Sequence, residues 1–302
     1  MLPDCQSANA LPSSGVRGVF CMICCLGLIG CQPVGSPTPA AAVAARAAPP
    51  AVAAPPPPAP ALVPLGPWAA AQAPAVPGVV PQVSSREVAG ILFEGVGFDC
   101  RSHRLIVADQ PAGPGSRWPD AVAAVAAYHG LAAVNGGFFT PQGQPLGKVV
   151  AAGTPAGSWN RASALGSGVW LEAANGTLML RRREAVPTTV AARELLQAGP
   201  MLVENHQCVS GLEASKSSVR SVVLWDGGTR WWIGQASSCT LAALGVALAS
   251  GAPSGWPVCH ALNLDGGRSA ELAITAAVSG GPRTRRAPWN RPVRNFLILV
   301  AR

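Results

Sequence analysis

Charged side chains are scarce in this chain of 302 residues: they make up 12% of it, and only two of the basic residues are lysines. The formal net charge is nevertheless +8. Such a balance suits nucleic acid, an anionic surface or an anionic substrate. No run of lysine and arginine with interleaved aromatic residues is present, so nucleic acid is the weakest of the three and is not expected as a partner.

Motifs for nucleotides and for catalytic zinc are also missing. The sequence has no Gly-x-Gly-x-x-Gly after a predicted strand, no Walker loop and no His-Glu-x-x-His. A lone aspartate without neighbouring oxygen ligands makes a poor calcium loop, and the best candidate carboxylate, Asp265, is of that kind. We therefore expect no cofactor and assign no metal ligand, and a calcium-dependent role for Asp265 stays open as the less favoured alternative.

The apolar run near the N-terminus is too short to span a bilayer. It covers residues 19–29 and ends in Leu-Ile-Gly-Cys31, which resembles the processing box of bacterial lipoprotein signals. Residues 1–31 are therefore predicted to be a lipoprotein-type signal segment, with Cys31 lipidated; the alternatives are an ordinary cleaved signal or a misassigned start codon. Gln32, rather than aspartate, indicates the outer membrane of a Gram-negative cell.

A tether follows the predicted signal. Residues 32–84 are mostly Ala, Pro and Val with almost no charge. Such a segment cannot bury a core and favours extended polyproline conformations. It is predicted to be disordered and to hold the rest of the chain off the membrane, or to pass through a cell-wall layer. Residues 85–302 remain as a single domain, long enough for a sizeable core.

Four cysteines fall in the predicted domain. No two of them are two to four residues apart, so they do not match zinc-binding pairs. In an exported domain such cysteines can oxidise, and one or two disulfides are expected, with a pairing that the sequence does not reveal. The four residues are Cys100, Cys208, Cys239 and Cys259.

Short apolar strands outnumber helices in this domain. Helices are predicted at Pro119–His129, Val190–Leu196 and Thr240–Ala249, while Asn175-Gly176 and Asp226-Gly227-Gly228 indicate hairpin turns. The pattern predicts an α+β fold with mixed, largely antiparallel sheets and a few helices, in a single catalytic domain. Three tryptophans in one hairpin are expected to pack there rather than to stack on a sugar: Trp225, Trp231 and Trp232.

The most informative stretch is residues 261–270, Ala-Leu-Asn-Leu-Asp-Gly-Gly-Arg-Ser-Ala. Its Asp-Gly pair lies between two apolar runs and predicts a hairpin turn. The same turn brings Asp265, Arg268 and Ser269 together with the unhindered backbone N–H groups of two glycines. This combination suits the binding of an anion.

Five segments, in this order, resemble the phosphodiester glycosidase family. They are Asn135–Phe139 (Asn-Gly-Gly-Phe-Phe), Pro145–Gly147, Gln197–Val203, Arg220 and Ala261–Ser269. The animal member of that family removes N-acetylglucosamine from mannose-phosphate diesters. The resemblance therefore implies a glycosidase that acts on glycosyl phosphodiesters. Arg268 departs from the family, in which glycine is common at that place.

The chemistry of this reaction can be assigned to residue types. The leaving group is a phosphate monoester, which needs a cationic clamp more than a general acid, and the arginine fork suits that task. Arg220 is the predicted clamp. Asp265 is the predicted nucleophile, or the base for water, at the anomeric carbon. Asn135 is expected to hold sugar hydroxyls or the N-acetyl group. The other predicted substrate-binding residues are Gly136, Gly137, Gly199, Gly266, Gly267, Arg268 and Ser269.

Several alternatives stay open at this point. A second catalytic carboxylate is not evident, with Glu271 and Glu94 as weak candidates. Asp265 can instead be a turn cap and Arg220 a surface charge. The basic loop of Arg283, Arg285 and Arg286 is most simply a solvated surface or a contact with an anionic envelope.

Taken together, the sequence predicts an exported, membrane-anchored hydrolase that cleaves a sugar from a sugar-1-phosphodiester in the cell envelope. Its partners would be a glycan or glycosyl-phosphate substrate and the membrane, through the lipid anchor. The alternative is a non-catalytic lipoprotein that binds an anionic envelope glycan with the same pocket.

Overall fold

The computed structural model describes residues 80–251, 253 and 255–302. The predicted signal segment, Cys31 and nearly all of the predicted tether lie outside the described residues. The described part contains seventeen strands and two helices in addition to short 3-10 turns, and its three sheets are antiparallel throughout. The predicted α+β fold is therefore correct in outline, although strands dominate. No helix among the described residues is long and apolar enough to cross a membrane.

The first sheet has seven strands. In spatial order they are β1 (Gln82–Val88), β2 (Ile91–Asp99), β13 (Arg230–Cys239), β12 (Ser218–Trp225), β14 (His260–Asn263), β10 (Met201–Glu204) and β11 (Gln207–Cys208). Because β1 begins at Gln82, regular structure starts before the predicted domain boundary at Ser85.

The other two sheets have five strands each. The order in the second sheet is β16 (Arg283–Arg286), β15 (Glu271–Ile274), β4 (Ala132–Asn135), β17 (Asn295–Ala301) and β3 (His103–Asp109). The order in the third sheet is β6 (Thr154–Ala156), β5 (Val149–Ala151), β9 (Ala192–Ala198), β7 (Gly168–Ala173) and β8 (Leu178–Arg182).

Two of the three predicted helices are confirmed. Helix α1 (Ala121–Ala127) and helix α2 (Leu241–Ser250) each begin after a residue whose side chain caps a free backbone N–H. In α1 the Asp120 carboxylate accepts from the N–H of Ala123 at 2.9 Å. In α2 the Thr240 hydroxyl does the same for Ala243 at 3.1 Å.

The helix predicted at Val190–Leu196 is wrong, because residues 192–198 form strand β9. Its residues are mostly good helix formers, but the surroundings decide the conformation. Leu195 packs into a cluster on one face of the third sheet, and Leu196 packs into the central core on the other. Adjacent residues on opposite faces are the pattern of a strand buried on both sides, and that burial overrides helix propensity.

The central core is enclosed by side chains from all three sheets. Along β17, Leu297 and Leu299 point into it, while Phe296 and Ile298 pack against α1 on the outer face. Burial on both faces explains why several strands are continuous apolar runs.

The predicted packing of the tryptophans is confirmed. Trp231 lies in the central core and Trp232 in the cluster with α2, and both are fully buried. Trp225 stacks on Trp231 with ring centroids 5.1 Å apart. None of the three has a face free to stack on a sugar.

The expected disulfides are not formed. The four cysteines of the described residues are all free thiols. Burial raises the pKa of each of these thiols above its usual value, which favours the neutral form. The four are Cys100, Cys208, Cys239 and Cys259.

A buried carboxylate joins the second and third sheets. Glu194 on β9 is 3% exposed, and its oxygens accept from the backbone N–H of Val107 at 2.9 Å and of Ala152 at 3.2 Å. Burial raises its pKa to about 7, although the two hydrogen bonds act in the opposite direction. The folded protein therefore holds this proton more tightly than the unfolded chain.

This raised pKa predicts a pH-dependent stability. Because the proton is bound preferentially in the folded state, stability is greatest below pH about 4.5 and falls as the pH rises through about 7. The loss would be at most about 3 kcal/mol. Glu194→Gln, which stays neutral, should reduce this dependence in urea unfolding at pH 4.5 and 7.5, whereas Glu87→Gln at an exposed site should not. Equal pH dependence in parent and Glu194→Gln proteins would contradict the assignment.

Candidate functional site

Asp265 lies after β14 in the segment that leads from the first sheet to the second. Its Oδ1 accepts from the N–H of Gly266 at 2.9 Å, and Ser269 donates a further hydrogen bond to the carboxylate. Gly267 has a φ of 59°, in the left-handed region that favours glycine. The predicted hairpin is nevertheless wrong, because β14 and β15 belong to different sheets. The segment is a crossover, which we call the Asp265 loop (residues 264–270).

Asn135 holds this loop in place from the end of β4. Its Nδ2 donates to the backbone oxygen of Asp265 at 2.6 Å. Its Oδ1 accepts from Ser221 Oγ at 2.5 Å and from the N–H of Glu271 at 3.0 Å. The side chain is fully buried. Asn135 is thus placed to position Asp265, and it has no exposed atom for the sugar contact that the sequence suggested.

The two glycines that follow Asn135 allow close packing. A Cβ at Gly136 would lie 2.1 Å from Asn295 Oδ1 on β17, and the same oxygen accepts from the N–H of Gly137 at 2.9 Å. The carbonyl of Gly136 accepts from the N–H of Asp265 at 3.0 Å. Gly136 therefore gives the Asp265 loop a second backbone anchor.

The Gly-Pro segment supports the end of β14, where the Asp265 loop begins. The carbonyl of Gly199 accepts from Asn263 Nδ2 at 2.9 Å, and a Cβ at Gly199 would lie 2.1 Å from the oxygen of Ala164. The side chain of Gln197 makes four hydrogen bonds to backbone groups of three other residues. Gln197 and Gly199 are thus structural supports, and their backbone is buried.

Arg220 lies beside the loop. Its Cδ is 3.6 Å from where a Cβ of Gly266 would be. The guanidinium donates to the carbonyls of Lys216 at 2.8 Å and of Cys239 at 3.3 Å. It forms no ion pair with a carboxylate in the described part of the chain, and partial burial lowers its pKa. Arg220 is therefore a cation beside the Asp265 loop that has no direct ion pair among the described residues, although the charge of Glu213 acts on it.

Arg291 is an arginine at the site that the sequence did not indicate. Arg291 lies in a loop without a recognisable motif, but its charge acts on Asp265 and its guanidinium carbon is 5.8 Å from the centroid of the Phe139 ring. Phe139 belongs to the Asn-Gly-Gly-Phe-Phe motif. Its contact with Arg291 is what connects Arg291 to a motif that the sequence analysis had identified. The contact is within cation–π range.

Two opposing effects set the ionisation of Asp265. Burial raises the pKa of its carboxyl, while the hydrogen bonds from Ser269 and Gly266 and the charge of Arg291 lower it. Burial is the largest of these effects, so the pKa lies above the usual value for aspartate. Such a poorly solvated carboxylate, held by two hydrogen bonds, is suited to attack or to proton removal.

A cavity of about 440 Å³, which we call the turn cavity, opens next to the Asp265 loop. Its size falls within the range of about 300–1,000 Å³ for ligand sites. Gly267 and Arg268 line it from the loop, and Trp289, which is 68% exposed, also lines it. Arg268 is exposed, and its Nε donates to the carbonyl of Trp289 at 3.1 Å.

The turn cavity is lined by neither candidate for a second carboxylate, and Asp265 and Arg220 lie beside it rather than in its lining. Glu271 is 1% exposed; its Oε2 accepts from the N–H of Ala121 and lies 3.2 Å from Arg286 Nε. Burial raises its pKa to about 7. Glu94 is 5% exposed and pairs with arginines of β16. Among the described residues, no group of three or more His, Cys, Asp or Glu side chains is placed to hold a metal ion.

The fold and the site together define a strand-rich domain with a carboxylate on a crossover loop between two sheets and with Arg220 and Arg291 beside that loop. The sequence profile of the phosphodiester glycosidase family matches residues 128–300, more than half of the chain. The chain therefore belongs to the phosphodiester glycosidase family, a family of hydrolases.

The fold is similar to that of a solved catalytic domain. The catalytic domain of zebrafish N-acetylglucosamine-1-phosphodiester alpha-N-acetylglucosaminidase, auto-inhibited by its pro-peptide, matches with a TM-score of 0.50 and 18% identity, covering 74% of this chain and 82% of that one. A hypothetical protein from Synechocystis matches with a TM-score of 0.49 and 15% identity over 74% of this chain and 62% of that one. No curated protein matches the sequence.

Proposed function

We propose that this protein cleaves a sugar from a sugar-1-phosphodiester in the cell envelope, to which a lipid on Cys31 anchors it. The observation that carries the proposal is the Asp265 loop. Asn135 and Gly136 bind the backbone of Asp265 and so fix the position of its half-buried carboxylate. Arg220 and Arg291 lie beside the loop. The zebrafish relative is named for a sugar-1-phosphodiester, which fits a site that combines a carboxylate with cations.

In the proposed reaction, the bond between the anomeric carbon and the phosphate oxygen breaks, and its electron pair leaves with the phosphate monoester. Arg220 stabilises the negative charge of that leaving group. Asp265 either attacks the anomeric carbon, forming an ester that water then hydrolyses, or removes a proton from an attacking water. Both routes consume one water and release a free sugar and a phosphate monoester.

The neighbours of Asp265 have distinct tasks in this scheme. Asn135 fixes the position of the loop, because its side chain binds the backbone of Asp265 rather than the substrate. Ser269 and Gly266 hold the carboxylate in one orientation, which lowers the cost of ordering it in the transition state. Arg291 favours the ionised form of Asp265 against the effect of burial.

Turnover tests the proposal directly. The purified full chain is incubated with a library of sugar-1-phosphodiesters that differ in sugar and in the alcohol on the phosphate, and release of free sugar is followed. Product release from one or more members is the expected result. Binding of these compounds without any product would favour the alternative, a non-catalytic protein that binds anionic glycans.

The proposed anchor makes a separate prediction. Cys31→Ser should abolish lipid attachment and move the protein from the membrane fraction to the soluble fraction, since only a lipidated cysteine supplies the anchor. Fractionation and labelling with a fatty-acid analogue measure both effects, and Cys24→Ser is the matched control. A membrane-bound Cys31→Ser protein, with an unlabelled parent, would contradict the anchor.

A further inference from the structure

The arginines of β16 surround a second cavity, which we call the edge cavity. It has a volume of about 640 Å³ and lies where the edges of the first and second sheets meet, with Val83, Glu94, Arg283 and Arg285 among its lining residues. The sequence suggested a basic loop here, either solvated or in contact with an anionic envelope. The structure instead forms a strand paired with β15, and this pairing fixes the positions of the arginines.

Arg283 and Arg285 share a single carboxylate. Arg285 Nε lies 2.5 Å from Glu94 Oε2, and Arg283 Nε lies 3.7 Å from Glu94 Oε1. Glu94 is buried, whereas the arginine side chains are 53% and 55% exposed. One negative charge therefore faces two positive charges, and the cavity retains a net positive charge.

The terminal nitrogens of Arg285 are available for a ligand. Its Nε is engaged with Glu94, but within the described residues Nη1 and Nη2 make no hydrogen bond. Arg283 and Arg285 are two residues apart on one strand, so their side chains lie on the same face. Two adjacent guanidinium groups on a fixed strand match the oxygens of a phosphate.

The edge cavity is next to the turn cavity. Arg285 lines both, and the turn cavity also contains Arg268 and the exposed Trp289. Positive charge thus continues from the Asp265 loop along β16. A substrate with one phosphodiester would occupy only the part near Asp265, whereas a longer anionic chain would also reach the arginines of the edge cavity.

We infer that Glu94, Arg283 and Arg285 form a subsite for a further phosphate, so that the preferred substrate is a polymer of sugars joined by several phosphodiesters. This inference rests on the proposed function and names the class of its substrate. Glu94 sets the orientation of both arginines, and Trp289 provides an exposed aromatic face for a sugar ring between the phosphates.

Length dependence tests this subsite. Oligomers of N-acetylglucosamine-1-phosphate with one, two and four phosphodiester links are titrated into the inactive full-length Asp265→Asn protein, and cleavage by the parent is measured in parallel. Affinity should rise about tenfold from one link to two, as expected for new charged hydrogen bonds, and the gain should shrink with added salt. The variant Arg283→Gln, at a residue that lines the edge cavity but not the turn cavity, should lose most of the gain while its affinity for the single-link compound is unchanged.

The matched control is Arg161→Gln, which removes the same charge from an exposed position elsewhere and should keep the gain. Equal affinity for all lengths, or an equal loss for all lengths in the β16 variant, would overturn the subsite. Binding that depends on length without any cleavage would support the subsite and reject the hydrolase. Cleavage without length dependence would support the hydrolase and reject the subsite.

Discussion

Replacement of Asp265 by asparagine should lower turnover by at least about three orders of magnitude and leave the fold intact. Asparagine keeps an oxygen that can accept from Gly266, and the bond from Asn135 goes to the backbone, so the loop keeps its anchors. What is lost is the negative charge that attacks the anomeric carbon or accepts the proton. The measurement is kcat/KM on a phosphodiester substrate, together with the thermal midpoint.

A buried carboxylate outside the site is the control for this variant. Glu271→Gln removes a charge from β15, where the side chain contacts Ala121 and Arg286. Any loss of activity in this protein should follow its loss of stability. A well-folded and fully active Asp265→Asn protein would refute the proposed mechanism and would leave Asp265 as a turn cap.

Removal of the Arg220 side chain should have the second largest effect. Arg220→Ala is expected to lower kcat/KM by about 10²–10³ for phosphodiesters, since the leaving phosphate loses its cationic partner. The loss should be much smaller for a 4-nitrophenyl glycoside, whose leaving group carries no phosphate. Arg220→Lys should recover part of the activity, because it keeps the charge but not the fork. An equal loss on both substrates would show that Arg220 only supports the loop.

Arg291 offers a contrast with Arg220. Its charge lowers the pKa of Asp265, so Arg291→Ala should raise that pKa further. If the ionised carboxylate is the active form, the acid side of the pH–rate profile should move to higher pH, with a smaller change at the optimum. An unchanged profile would contradict the electrostatic role of Arg291.

The sequence by itself determined the features that depend on neighbours along the chain. Helices α1 and α2 follow from an apolar run after a capping residue, and the hairpin of β12 and β13 follows from Asp226-Gly227-Gly228 between two strands. The motifs around Asn135 and Asp265 indicated the family, which the profile match confirms. The order of these motifs along the chain was enough to indicate the family.

Tertiary structure decided what depends on distant partners. Asn135 and Asp265 are 130 residues apart, and only the meeting of the first and second sheets turns Asn135 from an expected sugar ligand into an anchor for the Asp265 loop. The same long-range packing makes β9 a strand despite its helix-forming residues and replaces the predicted hairpin with a crossover. The role of Arg291 could be recognised only from its position near Asp265, because a local sequence pattern carries no information about which loops a fold brings together.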